Sequence, residues 1–86
     1  MKPRLVAIAG PMNGTVFNLT EREISIGREP YNQLCIQDPA VSRRHCIVKT
    51  DSGFKRMIDQ DSLNGTFIND LPVKDRLLQH GDQCKI

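Results

Sequence analysis

Tryptophan is absent from this 86-residue chain, and aromatic residues make up only 5% of it. Hydrophobic residues of all kinds reach 38%, so a core has to be built mainly from valine, isoleucine and leucine. The length fits one small domain, residues 1–86, and leaves no room for a second independent core. Most enzyme folds that enclose a substrate cavity need a longer chain. A compact binding module is therefore expected, and an enzyme is not.

Charge of one sign is not in excess, because 12 lysines and arginines stand against 10 acidic residues, for a net charge of +2. A dedicated nucleic-acid binder usually shows a basic stripe or a much higher isoelectric point, so direct nucleic-acid binding is not expected. The apolar run of residues 5–9 is too short for a signal-peptide core or a membrane span. No membrane partner is predicted either.

The three cysteines, Cys35, Cys46 and Cys84, are an odd number without the Cys-x-x-Cys spacing of many zinc sites. Neither a disulfide framework nor a metal site is predicted, and no cofactor is implied. Small buried strand residues are the simplest interpretation of these thiols. A reducing, cytoplasmic location is the corresponding expectation.

Turn-forming residues recur at short intervals and separate short segments rich in β-branched and apolar residues. The predicted turns are residues 10–14, 29–32, 38–39, 51–53, 64–65, 69–70 and 80–82. The predicted strands are residues 5–8, 15–19, 23–26, 34–36, 45–49, 54–59, 66–69 and 83–86. No stretch of ten or more residues has the apolar spacing of a helix, although Arg76, Leu77 and Leu78 could form one helical turn. The pattern predicts an all-β domain, an antiparallel sandwich or a small barrel, with function in the loops at one end.

Three loop clusters contain residues that could bind a ligand. Ile26-Gly27-Arg28 ends a strand, where a glycine can adopt a backbone conformation closed to other residues and so aim the guanidinium of Arg28. Ser42-Arg43-Arg44-His45 precedes a strand and offers a hydroxyl, two cations and an imidazole. Ser62-Leu63-Asn64-Gly65-Thr66 contains an Asn-Gly pair, which favours a tight turn and presents an amide that both donates and accepts.

Taken singly, each cluster has a plainer explanation: a solvated surface charge at Arg28, a structural hydrogen bond at His45, a hairpin turn at Asn64-Gly65. Taken together, Gly27-Arg28, the Ser-x-x-His of residues 42–45 and Asn64-Gly65 follow one another in an order and spacing that resemble the forkhead-associated (FHA) domain. The resemblance covers roughly residues 5–86. It is closest in appearance to bacterial members attached to enhancer-binding transcription activators, which would place transcription regulation downstream.

The resemblance implies an antiparallel β-sandwich of the FHA type that binds phosphothreonine-containing proteins or peptides produced by an upstream Ser/Thr kinase. By analogy with the family, Arg28, Ser42 and Arg43 would bind the phosphate, and Asn64 would hold the main chain of the peptide. Four further residues would support the loops structurally: Gly27, His45, Gly65 and Thr66. Residues beside the loops would influence ligand specificity: Ala40, Arg44, Ser62 and Leu63, with residues 69–71.

Two departures from the family pattern affect these expectations. Leu63 stands where many members have Thr or Ser, so one phosphate contact is either missing or taken over by Ser62. Members also usually continue past the segment 81–86 into a further strand that pairs with the first, so the final strand is expected to be missing and the chain to be the N-terminal part of a longer protein. An open sheet edge favours pairing with a second chain. The alternative function is therefore a phosphate-independent dimerisation or structural module.

Overall fold

Ten short strands and no helix make up the described part of this computed structural model, which comprises residues 4–6, 13–19 and 21–86. Since these residues form no helix, they contain none that could cross a membrane. In chain order the strands are β1 (Arg4–Val6), β2 (Val16–Asn18), β3 (Glu23–Gly27), β4 (Leu34–Cys35), β5 (Cys46–Asp51), β6 (Phe54–Asp59), β7 (Thr66–Ile68), β8 (Leu71–Val73), β9 (Asp75–Leu77) and β10 (Cys84–Lys85). The prediction of an all-β domain is confirmed.

The strands form three sheets. Strands β4, β3, β5, β6 and β9 lie side by side in that order, β10, β7 and β8 form a second sheet, and β1 pairs with β2. Every described pair is antiparallel except β3 with β4, which is parallel. The antiparallel prediction is wrong for that pair, because the chain crosses over through residues 28–33 before it pairs. The Ile36 N–H then donates to the Gly27 carbonyl at 2.8 Å and anchors the crossover.

An aliphatic core lies between the sheets, because successive side chains of a strand point to opposite faces and one face of each strand is buried. The buried cluster combines residues of the five-stranded sheet with Ile68 of β7 and Leu19, which follows β2. Sheets that share one core pack face to face, as the predicted sandwich requires. The members of the cluster are Leu19, Ile24, Ile26, Cys46, Val48, Met57 and Ile68.

Two hairpins have two-residue turns in which both residues adopt left-handed backbone. Ser52 and Gly53, with φ of 51° and 83°, join β5 to β6, and Asn69 and Asp70, with φ of 52° and 67°, join β7 to β8. Positive φ at both positions is the signature of the type I′ turn, whose twist matches that of paired strands. Both turns were predicted from their Ser, Gly, Asn and Asp residues, and both are confirmed.

The segment 71–78 departs from the sequence prediction. Strands β8 and β9 were not predicted, and the helical turn proposed for Arg76, Leu77 and Leu78 is wrong, since the first two belong to β9. Strands β8 and β9 have three residues each, and Pro72 lies in the middle of β8. Neither segment is therefore long enough to show the alternation of apolar and polar residues that predicts a strand. Pro72 is tolerated because β8 is an edge strand. At the other end of the chain, β1 ends at Val6, and residues 7 and 8 of the predicted strand lie outside the described residues.

All three cysteines are free thiols in strands: Cys46 is buried in β5, whereas Cys35 and Cys84 are half-buried in β4 and β10. Burial raises the pKa of the Cys46 thiol to about 12 and also raises the pKa of Cys84. The thiols of Cys46 and Cys84 therefore stay protonated at neutral pH and behave as apolar residues of the core. No cluster of three or more metal-binding side chains occurs among residues 4–6, 13–19 and 21–86.

Candidate functional site

Three loops border an open cleft of about 590 Å³: the β3–β4 loop (residues 28–33), the β4–β5 loop (residues 36–45) and the β6–β7 loop (residues 60–65). All three clusters singled out in the sequence lie in or beside these loops. Residues from each loop line the cleft: Arg28, Glu29, Tyr31, Pro39, Ala40, Val41, Ser42, Arg43, Arg44, Asp61 and Leu63. The structure thus brings together the predicted residues Arg28, Ala40, Ser42, Arg43, Arg44 and Leu63.

Arg28 lies immediately after β3 and is tied to the β4–β5 loop by two hydrogen bonds. Its backbone N–H donates to the Ser42 carbonyl and its Nε–H donates to the Val41 carbonyl, each at 3.0 Å. The bond from Nε fixes the orientation of the whole guanidinium, because that group is rigid and planar. The terminal N–H groups stay on an exposed side chain that faces the cleft.

Ser42 connects the β4–β5 loop to the β6–β7 loop. Its Oγ accepts a hydrogen bond from the Leu63 N–H at 2.9 Å. A hydroxyl has one proton and two lone pairs, so accepting this bond positions the oxygen and leaves its own proton available for a ligand. Beside it, the Arg43 N–H has no acceptor among the described residues. Both donors belong to the lining of the cleft.

His45 is fully buried, and its imidazole contacts both the β4–β5 loop and the β6–β7 loop. Its Nδ1 accepts the Ser42 N–H at 3.1 Å, and its Nε2 lies 2.8 Å from the Gly65 carbonyl oxygen. An Nδ1 that accepts carries no proton, whereas a carbonyl oxygen needs a donor. This pair of partners assigns the neutral imidazole with its proton on Nε2. His45 is therefore placed as a bridge between loops and does not line the cleft.

Asn64 stands at the rim of the cleft rather than in its lining. Its Nδ2 donates to the Ala40 carbonyl at 2.7 Å, a third link between the β6–β7 and β4–β5 loops. No described residue donates to its Oδ1, which leaves an exposed acceptor beside the cleft. Gly65 follows with a φ of 89°, a left-handed conformation that favours glycine.

A buried carboxylate, which the sequence analysis did not single out, organises the β6–β7 loop. Asp59, at the end of β6, accepts hydrogen bonds from the Ser62 hydroxyl and, at 2.7 Å, from the Thr66 hydroxyl. Ser62 Oγ in turn accepts the Gly65 N–H at 3.1 Å. The proton of Ser62 is thus committed to Asp59, and Ser62 is not among the residues that line the cleft. The sequence did contain a signal for the burial of Asp59, because side chains two positions apart on a strand point to the same face and Met57 points into the core.

A second residue that the sequence analysis missed is Asn32, which was interpreted only as part of a turn. Asn32 is buried, and its Nδ2 donates to the carbonyls of Glu29 and Arg43, both at 2.8 Å. The contact with Arg43 holds the β4–β5 loop against the β3–β4 loop. A buried asparagine needs such partners, but its burial could not be deduced from the run Glu29-Pro30-Tyr31-Asn32, which reads as polar surface.

Glycine is needed at position 27, as predicted, but for a different reason. Its φ is not in the left-handed region, so the expected special backbone conformation is wrong. A Cβ at this position would instead overlap the Arg43 carbonyl oxygen and lie 2.8 Å from Asn32 Nδ2. Gly27 is required because the β4–β5 loop passes directly over it, which is what brings Ser42 and Arg43 close to Arg28.

The charges of the cleft are not neutralised within the described residues. The ion pairs there are Arg56 with Asp75 and Lys74 with Asp59, and neither includes a residue that lines the cleft. The guanidiniums of the cleft therefore face solvent without carboxylate partners. An arrangement of unpaired guanidiniums with a hydroxyl and a backbone N–H between them is suited to an anion with several acceptor oxygens.

Comparison with known proteins identifies the domain. Residues 24–86 match the family model of the FHA domain. The chain belongs to the FHA family. An FHA domain solved in an analysis of phosphothreonine-dependent FHA interactions superposes with a TM-score of 0.79, at 35% identity, over 84% of this chain and 75% of that one. The β-sandwich is thus the FHA fold, with one parallel pair.

Two relatives of this FHA domain are regulators. The glycogen accumulation regulator GarA of Mycolicibacterium smegmatis is 38% identical over 82 residues, 95% of this chain and 52% of that protein. The oxoglutarate dehydrogenase inhibitor of Corynebacterium efficiens is 37% identical over 82 residues, 95% of this chain and 58% of that protein. The chain therefore spans about half the length of these relatives. They do not support the expected link to enhancer-binding transcription activators.

Removing the buried carboxylate of this FHA domain tests how its loop is held. Burial alone would raise the pKa of Asp59, but the hydrogen bonds from Ser62 and Thr66, with the charge of Lys74, outweigh it and lower the pKa. We expect Asp59→Asn to reduce the free energy of unfolding at pH 7 by about 2 kcal/mol, because the amide nitrogen that replaces Oδ2 cannot accept from the Ser62 N–H and no longer attracts the Lys74 ammonium. Urea unfolding measures this difference.

The same experiment has a pH signature. A carboxyl whose pKa is lowered by folding stabilises the protein above its unfolded pKa of about 3.9, and the contribution is lost as the pH falls through the folded value. The difference between wild type and Asp59→Asn should therefore shrink below about pH 4. Asp75→Asn, which removes only an exposed ion pair with Arg56, should cost less than about 1 kcal/mol. A pH-independent difference for Asp59→Asn would contradict the assignment.

Proposed function

We propose that this FHA domain is a signalling module that binds phosphothreonine in partner proteins through the cleft between its β3–β4, β4–β5 and β6–β7 loops. The observation that carries the proposal is the pair of bonds that aim two donors into one cleft. Arg28 Nε is held by Val41, and Ser42 Oγ is held by the Leu63 N–H. Each contact leaves donors available, so the site is organised before the ligand arrives.

The phosphate of phosphothreonine carries nearly two negative charges and three strong acceptor oxygens. The terminal N–H groups of Arg28, the Ser42 hydroxyl and the Arg43 N–H would bind those oxygens. Hydrogen bonds to a charged group contribute roughly 1.5–3 kcal/mol each, and three or four of them support a dissociation constant on the order of micromolar. Such an affinity suits a reversible signalling contact.

The remaining predicted residues have supporting places around this site. The free Oδ1 of Asn64 would accept a main-chain N–H of the peptide, while its Nδ2 stays on the Ala40 carbonyl. His45 and Thr66 would act indirectly, since their contacts fix the two loops. Arg44 lines the cleft and would contact residues beside the phosphothreonine. Ser62 is proposed only as a loop anchor, because its proton is committed to Asp59.

The regulatory setting is proposed from the relatives. A Ser/Thr kinase would act upstream, because it produces the phosphothreonine. The names of the two relatives, an accumulation regulator and an enzyme inhibitor, favour control of metabolism over control of transcription. Three free thiols favour a reducing cytoplasm as its location. Self-association through a sheet edge stays a prediction, which sedimentation over a concentration series tests.

Titration with three versions of one peptide tests the proposed function. The versions carry phosphothreonine, phosphoserine or unmodified threonine at the same position, and binding is measured by isothermal calorimetry. We expect micromolar binding of the phosphothreonine peptide and at least about 100-fold weaker binding of the unmodified one, because the charge-assisted bonds are lost. Equal affinity for the phosphorylated and unmodified peptides would overturn the proposal.

A further inference from the structure

The hairpin of β5 and β6 has apolar side chains on the side that faces away from the core. Val48 and Met57 point into the core, so the alternate side chains of both strands point outward. These outward side chains form the hairpin face: Ile47, Lys49, Asp51, Phe54, Arg56 and Ile58. Its three apolar members do not pack against the core that the described residues form, and Phe54 is 63% exposed. Apolar surface that the fold itself does not use is typical of an interaction site.

Two of the three charges on the hairpin face have no partner. Arg56 forms an ion pair with Asp75 at 2.8 Å, whereas Lys49 and Asp51 form none among the described residues. Lys49 also lies directly opposite Arg56 in the strand register, and like charges in that position are unfavourable in a sheet. A carboxylate supplied from outside the molecule would relieve this repulsion.

The spacing of four side chains makes the hairpin face complementary to itself. In the register of the hairpin, Lys49 lies opposite Arg56, and two positions further along Asp51 lies opposite Phe54. A two-fold axis that crosses both strands midway between these pairs brings Lys49 of one copy against Asp51 of the other, and the reverse. The same axis brings Arg56 against Phe54, a favourable contact between a cation and an aromatic ring.

We propose that two copies of this chain associate through their hairpin faces around this two-fold axis. The hairpins then run antiparallel across the interface, an alignment that packed sheets commonly have. The turn at Ser52-Gly53 of each copy covers Ile47 and Ile58 of the other, because the axis reverses the direction of the hairpin. Leu77 of β9 lies opposite Arg56 in the register, is 43% exposed and extends the apolar surface.

A second copy fits the hairpin face better than a partner with charge of one sign. The face carries both signs within one hairpin, so a strongly acidic partner would be repelled by Asp51 and a strongly basic one by Lys49. Two copies satisfy both residues at once, since each contact occurs twice in a two-fold interface.

The size of the face sets the strength of the association. Four strands about 4.8 Å apart and roughly 20 Å long give roughly 400 Å² from each copy, at the small end for a specific interface. We therefore expect a dissociation constant on the order of 100 µM. The cleft lies at the other end of these strands from the turn, and none of its lining residues belongs to the hairpin face. Dimerisation leaves both clefts open and does not depend on phosphothreonine binding.

Reversal of single charges tests the pairing of Lys49 with Asp51. Association is measured by sedimentation equilibrium at physiological salt, from about 10 µM to about 1 mM, a range that brackets the expected dissociation constant. Lys49→Asp and Asp51→Lys should each weaken association at least about tenfold, because like charges then meet twice across the axis. An equimolar mixture of the two variants should associate, since one supplies only carboxylates and the other only ammonium groups. Both changes in one chain restore the pairing and should restore the dimer.

Exposed residues of the three-stranded sheet provide matched controls. Phe54→Ser should weaken association, whereas Leu71→Ser, which removes a side chain that is 59% exposed on β8, should not. Lys85→Asp reverses the charge of an exposed lysine on β10 and should also leave association unchanged. Circular dichroism confirms that each variant is folded.

A wild-type chain that stays monomeric over the whole concentration range would overturn the proposed dimer. A dimer that Lys49→Asp and Asp51→Lys leave intact would place the contact on another surface, and equal weakening by Lys85→Asp would assign it to general electrostatic attraction. A mixture of the two single variants that stays monomeric would show that Lys49 and Asp51 do not face each other. Each of these results would leave the proposed phosphothreonine binding untouched.

Discussion

Replacing Arg28 by alanine is expected to weaken binding of a phosphothreonine peptide by about 100-fold, because one or two charge-assisted hydrogen bonds of roughly 1.5–3 kcal/mol each are removed. In the proposed site, Arg28 is the residue through which the β3–β4 loop would contribute charge to the phosphate. Its loss cannot be covered by Arg43 or Arg44, since no hydrogen bond fixes their guanidiniums in the described structure. Isothermal calorimetry on the purified domain measures the effect.

Arg28→Lys separates charge from geometry. Lysine keeps the positive charge, but an ammonium on a flexible stem cannot hold the Val41 carbonyl and present a planar pair of donors at the same time. We therefore expect Arg28→Lys to recover only part of the lost affinity, about tenfold below wild type. An affinity equal to that of wild type would show that charge alone is required.

Arg22→Ala is the matched control for these variants. Arg22 is also an exposed arginine, but it lies before β3 and does not line the cleft. Its loss should change peptide affinity by less than about threefold, as expected for a charge at long range in physiological salt. If Arg28→Ala and Arg22→Ala weaken binding equally, then general electrostatic attraction is responsible and the cleft is not the phosphate site. Circular dichroism confirms that each variant is folded at the temperature of the binding measurement.

The residues whose common location the sequence anticipated are those that belong to a motif. Arg28 is separated along the chain from the adjacent residues Ser42 and Arg43, yet all three line one cleft because the β3–β4 and β4–β5 loops lie at the same end of the fold. The turns at Ser52-Gly53 and Asn69-Asp70 were also predictable, since few residue types adopt left-handed backbone easily. Local chemistry was sufficient for the turns, whereas the grouping of Arg28, Ser42 and Arg43 came from the resemblance to the FHA family.

What the sequence could not show are the contacts between loops. The bond from Asn32 to the Arg43 carbonyl joins residues eleven positions apart, and the bond from His45 to Gly65 spans twenty. Neither pairing has a signal in a single sequence, because each depends on how two loops pack in the folded state. The strand β9 was missed for the same reason: its pairing with β6, and not its own composition, makes it a strand.

The position of Gly27 leads to the largest expected effect on stability. Gly27→Ala places a Cβ against the Arg43 carbonyl oxygen, a backbone atom that cannot rotate away as a side chain would. Overpacking of this kind typically costs about 1–3 kcal/mol, and a clash with backbone falls at the upper end. For a domain of this size a loss of about 3 kcal/mol lowers the melting temperature by roughly 12 °C or more. Thermal unfolding followed by circular dichroism measures it.

Gly53→Ala is the control that distinguishes contact from conformation. Gly53 has a φ of 83°, so alanine there is strained, but no atom lies within 4 Å of the added Cβ. Its cost should be about 1 kcal/mol, the ordinary penalty for left-handed backbone. Gly27 has the opposite combination, an ordinary φ and no space. We therefore expect Gly27→Ala to reduce stability more than Gly53→Ala. At temperatures where it is folded, Gly27→Ala should also weaken phosphopeptide binding, because relief of the overlap moves Ser42 and Arg43 away from Arg28. A smaller loss of stability for Gly27→Ala than for Gly53→Ala would mean that the β4–β5 loop does not pack on Gly27 in solution.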